Sequence, residues 1–188
     1  MRTIKVVILS LLSILIFSGF MSETTPKERK NETLKESEKT LKMLHKAYPK
    51  AKALIDRSYG YATFSNFGLN LLFFSAEGGS GIVHNNKTSK NTYMKMASGG
   101  VGLGIGVKDF RTVFVFGNKK VFDSFINSGW EANAQADLAA KSGDKGKSIE
   151  GAITVQPGIK LYKLTKNGLA VQATIQGTKY WKDEELNK

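Results

Sequence analysis

The chain has 188 residues, 41% of them hydrophobic and none of them cysteine. That is one domain's length with enough apolar side chains for a core, and it excludes a disulfide framework or a lipid-modified N-terminal Cys. Its 28 Lys+Arg against 16 Asp+Glu give a formal charge of +12, which favours anionic partners (nucleic acid, anionic lipid headgroups, acidic polymers) without choosing among them.

The N-terminus narrows the choice. Arg2 and Lys5 precede an uncharged run from Val6 to Ser22 with the apolar heart "VVILSLLSILIF", which reads as the n-region and h-region of a secretory signal. The small-residue cleavage pattern is poorly met, because Phe20 or Phe17 falls at the third position back from the available cuts. A retained anchor at residues 6–22 is the alternative, since about 17–25 residues span a bilayer. Export places the chain in the periplasm or envelope, or outside the cell, where nucleic acid is not an expected partner. Without Arg2 and Lys5 the mature chain keeps +10, so an anionic phospholipid surface or an acidic envelope polymer is the expected partner.

Residues 1–22 are therefore expected to be a signal or anchor, 23–43 a charged helical lead-in, 44–182 the main domain and 183–188 a tail. Leu34, Leu41, Leu44 and Tyr48 recur at spacings of seven, three and four, one face of a helix expected to pack on the rest of the chain. Lys35, Lys39, Lys42 and Lys46 form a second stripe on the polar side. Pro49 ends that helix near Tyr48 and opens a short second one carrying Ala51, Leu54 and Ile55.

After Tyr59 the pattern changes to period-two alternation. "TFSNF", "NLLFFSA", "GGSGIVH", "TYMKMAS", "VGLGIGV" and "RTVFVFG" follow one another with short polar breaks, as in an antiparallel meander. One helix interrupts at about Lys119–Asn127, with Val121, Phe122, Phe125 and Ile126 as its apolar stripe. "EANAQADLAA" suits helix or strand. "IKLYKL" and "LAVQATI" flank Asn167-Gly168, a tight-hairpin pair, and "TKYW" closes the set. The expected fold is α+β: an N-terminal amphipathic helix on a glycine-rich, mostly antiparallel sheet or barrel of about eight short strands, with one inserted helix.

In "SGGVGLGIGV", Gly100, Gly102, Gly104 and Gly106 alternate with apolar residues. Dinucleotide binding requires G-x-G-x-x-G opening a helix, and here both the spacing and the following strand pattern fail. "KSGDKGKS" ends like a phosphate loop, but Lys141 stands where the first glycine is needed. The glycine face is read as a close-approach surface for another backbone, or as the means of curling the sheet, with a ligand groove as the alternative.

"GYATF" after a short helix, "GGSGIV", "ASGGVGLGIGVKDFRTVFVF", "KKVFDSFINSGWEANAQA" and "GIKLYKLTKNGLAVQATIQGTKYW" occur in that order from about Leu44 to Trp181. This arrangement resembles the lipid-binding SYLF-domain family. The usual proline after the first motif is replaced by Ser65, and the cysteine that many bacterial members lipidate is missing. The resemblance implies a non-enzymatic lipid-binding module. Eukaryotic members bind phosphoinositides and actin, and only affinity for anionic lipid carries over to an exported bacterial chain.

Lys35, Lys39, Lys42 and Lys46 are the first candidates for headgroup contact, each near-surface lysine contributing about 1 kcal/mol toward an anionic membrane. Lys145 and Lys147 in "SGDKGKS" are the second. Trp181, between Tyr180 and Lys182, is a candidate interfacial anchor, with packing at a strand end as the competing role. His45 and His84 are too isolated for a metal site, and His45 on a lysine-rich helix is expected to be solvated. Glu77, Asp109, Asp123 and Glu131 qualify as acid–base groups by type alone. No catalytic residue, metal or cofactor is assigned. The competing reading is an envelope structural or interaction protein with no lipid ligand.

Overall fold

A computed structural model describes residues 24–132, 151–165, 168–169 and 177–188; at 67–76, 100–109 and 168–169 the description is of the backbone. Three helices and seven strands lie among these residues: α1 (Pro26–Ala47), α2 (Ala51–Arg57), β1 (Gly60–Asn85), β2 (Asn91–Phe116), α3 (Lys119–Asn127), β3 (Trp130–Glu131), β4 (Ile153–Gln156), β5 (Ile159–Thr165), β6 (Gly168–Leu169) and β7 (Thr178–Lys182). The architecture is the expected one, helices on a curled antiparallel sheet. Residues 1–22, expected to be a signal or anchor, lie outside the described residues. Among the described helices none is long and apolar enough to cross a membrane.

The helix boundaries follow local chemistry. Thr25 and Glu28 form a capping box around Pro26 at the first helical position, with the Glu28 amide donating to Thr25 Oγ1 at 3.2 Å and the Thr25 amide to Glu28 Oε2 at 2.8 Å. Pro49 follows the C-cap Tyr48, and α2 begins two residues later. α3 spans the nine residues the apolar stripe marked, capped by Asn118 Oδ1, which accepts the Val121 amide at 3.1 Å. α1 runs unbroken through residues 43 and 44, so the charged lead-in and the unit beginning at Leu44 share one helix.

Strand lengths differ from expectation. The six short segments between Tyr59 and Gly117 are two strands of 26 residues each, paired antiparallel from Gly60↔Phe116 to His84↔Asn91. Polar residues such as Ser65, Asn66 and Ser80 do not end a strand whose partner supplies a continuous hydrogen-bond ladder, because strand preference depends mostly on neighbours. The register slips once, between the pairs Leu72↔Gly104 and Phe74↔Val101. Two residues of β2, Gly102 and Leu103, therefore oppose Phe73, the count of a β-bulge, which bends the ribbon.

That bend folds β1 back on itself. A Cβ at Gly60, Gly79 or Gly81 would collide with the carbonyl oxygens of His84, Ser65 and Thr63 respectively. The three approaches are centred on residue 72, the last pair before the slip. Glycine is required at these crossings because any side chain would occupy the space of the opposing backbone. The contacts that close the sheet among described side chains thus come from "GGSG" and Gly60. For Gly100, Gly102, Gly104 and Gly106 only the backbone is described, with Gly100 opposite Ser75 and Gly106 opposite Asn70, and their side of the sheet lies outside the described residues.

β2 also pairs with β5 and β7, so each half of the long ribbon has a second neighbour. β5 and β6 pair antiparallel, with Thr165 opposite Gly168; Asn167 of the expected tight turn lies outside the described residues. The curl creates two apolar compartments. Inside it, Phe64, Phe114, Phe116, Phe122, Phe125 and Tyr180 cluster with Met94, Met96 and Leu161; ring centroids of Phe64 and Tyr180 are 4.6 Å apart and edge-on. Outside it, Val113, Val115, Tyr162 and Leu164 pack under Leu44, Ala51 and Ile55.

The face that α1 buries overlaps the expected leucine face only at Leu44. Thr33, Ser37, Thr40 and Leu44 are its buried residues, while Leu41 is half-buried against the outer cluster and Leu34 is half-buried outside it. The helix is rotated by about 55° from the expected docking, at 100° per residue. The sheet surface beneath explains the rotation: Thr63 and Arg111 lie there, and they take Ser37 and Glu36 as partners at 2.7 and 3.2 Å. A leucine over either group would leave a buried polar atom without its hydrogen bond.

Candidate functional site

With Thr33, Ser37, Thr40 and Leu44 turned inward, the opposite line of α1 is Lys35, Lys39, Lys42 and Lys46, and all four are exposed. At 100° per residue the stripe falls within about 60° of arc and is centred some 160° from the docked face. It runs about 16 Å along the helix at 1.5 Å per residue. Lys39 is paired with Glu36 at 3.2 Å, and this exposed contact holds it only weakly. The stripe therefore projects away from the body as a line of positive charge on a helix whose position is fixed by its other side. Lys145 and Lys147 lie outside the described residues.

Trp181 stands on β7, where alternation turns Thr178 and Tyr180 inward and Lys179 and Trp181 outward. It is 41% exposed, the large apolar side chain most open to solvent among the described residues. It is neither in the core nor on the same surface line as the lysine stripe. Instead it lines a cleft of about 380 Å³ between α1 and the β2–β7 face, together with Arg29, Glu32, Glu36, Lys95 and Asp183.

Arg29, Lys95 and Asp183 of that cleft are tied to one another. Asp183, 2% exposed, accepts Arg29 at 3.0 Å and lies 3.3 Å from Lys95 Nζ through Oδ2, while Oδ1 accepts the Glu185 and Leu186 amides at 3.1 and 3.2 Å. Arg29 also reaches Glu185 at 2.7 Å. Asn187 donates to the Tyr93 carbonyl at 2.7 Å and accepts the Tyr93 amide at 3.0 Å. Residues 183–188 are thus built into the fold and clamp the start of α1. The sequence signal for this was the i,i+3 spacing of acid and turn in "DEEL", too common to single out.

His45 departs from the expected solvated side chain. It is half-buried, and its Nε2 is buried without a hydrogen-bond partner among the described residues. Desolvation first, and the nearby Lys52 second, push its pKa below the usual histidine value, with Asp56 opposing. His84 stacks on Tyr61 at 5.0 Å and hydrogen-bonds Asn91 at 2.7 Å. Glu77 accepts from Asn66 at 3.0 Å, and Asp123 and Glu131 pair with Lys119 and Lys179. These acids are held by separate partners and do not converge. Among the described residues no group of three or more His, Asp or Glu is placed to hold a metal ion.

Fold and surface together define a small α+β protein: a long β-ribbon folded over an aromatic interior, with a cationic helix docked outside. No family model matches the chain. It is 37% identical over 140 residues to beta cell expansion factor A of Aeromonas veronii, an alignment that takes in 74% of this chain and 52% of that protein. The chain spans about half the length of the curated relative it matches.

Proposed function

We propose that this is an exported protein of the bacterial envelope, with no catalytic role, that associates peripherally with anionic phospholipid through basic surface residues. One observation carries the reading: Lys35, Lys39, Lys42 and Lys46 form a single exposed line on the side of α1 opposite its docked face. A membrane approaching that side meets four cations at one height, each adding about 1 kcal/mol toward an anionic surface at modest ionic strength. The contact is electrostatic and without insertion, because α1 keeps its apolar and hydroxyl face on its own sheet. An inserting helix would need that face in lipid. The resemblance to the SYLF-domain family supports the same ligand class.

The test is co-sedimentation of the full chain with vesicles of neutral lipid alone and with added anionic lipid, at low and physiological salt. The expected result is binding to the anionic vesicles, weakened by salt and largely lost when all four lysines become Gln. Binding that ignores headgroup charge, or that survives the quadruple substitution unchanged, removes the stripe from the mechanism. Binding only to an acidic envelope polymer would favour an envelope interaction protein without a lipid ligand.

A further inference from the structure

A second depression, of about 290 Å³, lies between the end of α2 and the sheet at the ends of β2, β4 and β5. Its apolar surface comes from the half-buried Leu54 of α2 and from Val115 on the outer face of the sheet, while the Ile159 side chain at its edge belongs to the inner cluster. Gly117 and Gly158 line it without adding a side chain, and the Gly117 amide donates to the Gly158 carbonyl at 2.8 Å. α2 is only seven residues long and stops at Arg57, so it leaves this end of the outer face uncovered.

Two cations line the same depression. Arg57 is exposed and Lys160 half-buried, which places both at the rim rather than the floor. Arg57 Nε donates to the Ala53 carbonyl at 3.0 Å and Lys160 Nζ to Thr154 Oγ1 at 3.4 Å. Neither has a carboxylate partner among the described residues, and the acid next in sequence, Asp56, is held by Lys52 at 2.7 Å. The contrast with the Trp181 cleft is chemical. There Arg29 and Lys95 share Asp183, and an incoming anion has to displace a buried carboxylate. Here the positive charges face solvent uncompensated, and the two terminal nitrogens of Arg57 remain for a bidentate contact.

An apolar floor with uncompensated cations at its rim matches a ligand with a hydrocarbon tail and a negative head. We propose that this groove binds a single-chain anionic amphiphile, a fatty acid or monoalkyl phosphate, with its tail over Leu54 and Val115 and its head between Arg57 and Lys160. A small inorganic anion would leave the apolar floor wet, and a neutral amphiphile would leave both cations uncompensated. The site is separate from the lysine stripe of α1 and does not depend on membrane association.

The test is a titration of the isotope-labelled full chain with decanoate below its micelle-forming concentration, followed by amide chemical shifts. Saturable shifts are expected for Leu54–Ser58 and Ile159–Lys160. Arg57→Gln combined with Lys160→Gln changes only rim side chains and should weaken binding at least about ten-fold, a loss of 1.4 kcal/mol. Gly117→Leu should block it as well; the Cβ itself meets the Gly158 carbonyl oxygen at 3.6 Å, an ordinary contact. Acetate and decyl maltoside should produce no saturable shift at these amides, and the four-lysine variant should bind decanoate as the parent does. No shift at the groove, equal decanoate affinity in the double variant, or equal affinity for decyl maltoside overturns the proposal. A loss of decanoate binding in the four-lysine variant would also overturn it, since the groove would then not be a separate site. Vesicle binding measured on the same variants reports independently on the membrane reading.

Discussion

The Thr63 hydroxyl of β1 donates to the Ser37 hydroxyl of α1 at 2.7 Å, and the two residues are 1% and 5% exposed. This bond joins the cationic helix to the folded ribbon through an interface that is polar where a helix–sheet contact is usually apolar. Thr63→Val is expected to destabilise the chain by about 1–3 kcal/mol, because it strands the Ser37 hydroxyl in a dry site. Thr63→Val with Ser37→Ala should recover most of that loss. Urea unfolding of the two single variants and the double variant measures the coupling, and strictly additive losses would mean that the bond does not organise the interface.

Closure of the ribbon depends on the glycines that meet carbonyl oxygens. Gly81→Ala drives a methyl group into the Thr63 carbonyl and the Phe64 ring, and should cost about 3 kcal/mol, the upper end for overpacked interiors. Gly78→Ala and Gly99→Ala place their methyl groups in open space and should stay within about 0.5 kcal/mol of the parent. Thermal unfolding of the three variants compares the positions directly.

Asp183 holds the last turn of the chain against the first turn of α1. Removing its carboxylate by Asp183→Ala releases Arg29, Lys95 and two backbone amides together. Because Arg29 and Lys95 are themselves 30% and 41% exposed, the expected loss is about 2 kcal/mol, below the 3–5 kcal/mol of a fully buried pair. Asp183→Asn keeps an oxygen for the amides of Glu185 and Leu186 and should lose less. Hydrogen exchange of the α1 backbone would show the effect as faster exchange from Arg29 toward Thr33, and unchanged protection there would exclude the clamp.

Acid should weaken the fold through His45. Its folded-state pKa is held below the usual value of 6.5 by desolvation and by Lys52, so the unfolded chain takes up the proton first as pH falls. This contribution is absent above the unfolded pKa and grows as a destabilisation from about pH 6.5 downward, until the folded-state pKa is passed. His45→Gln should flatten the fall in urea midpoint between pH 7.5 and 5.5 relative to the parent. An equal fall in both proteins would assign the acid sensitivity to other groups.

The elements that local chemistry controls were legible in the amino-acid order. The break at Pro49, the nine residues of α3 and the inward Phe122 and Phe125 all follow from propensity, capping and apolar period, which act over a few residues. The exposed line of lysines on α1 was legible for the same reason, since a helical period places Lys35, Lys39, Lys42 and Lys46 together whatever the helix docks on. The capping box of Thr25 and Glu28, which the expectation of a charged lead-in from residue 23 did not include, marks where α1 begins.

Contacts between residues far apart in the chain had no such local signature. That Ser65, Asn66 and Ser80 lie within unbroken strands depends on a partner strand, and the carbonyls that Gly79 and Gly81 approach belong to residues 14 and 18 positions earlier. The rotation of α1 away from its leucine face was set by Thr63 and Arg111 on the sheet, and the rim pair Arg57 and Lys160 is separated by a hundred residues. Periodicity therefore determined which residues share a helix or strand face. Folding the ribbon in half decided which faces meet, because the steric and hydrogen-bonding demands of each face exist only once its opposite is in place.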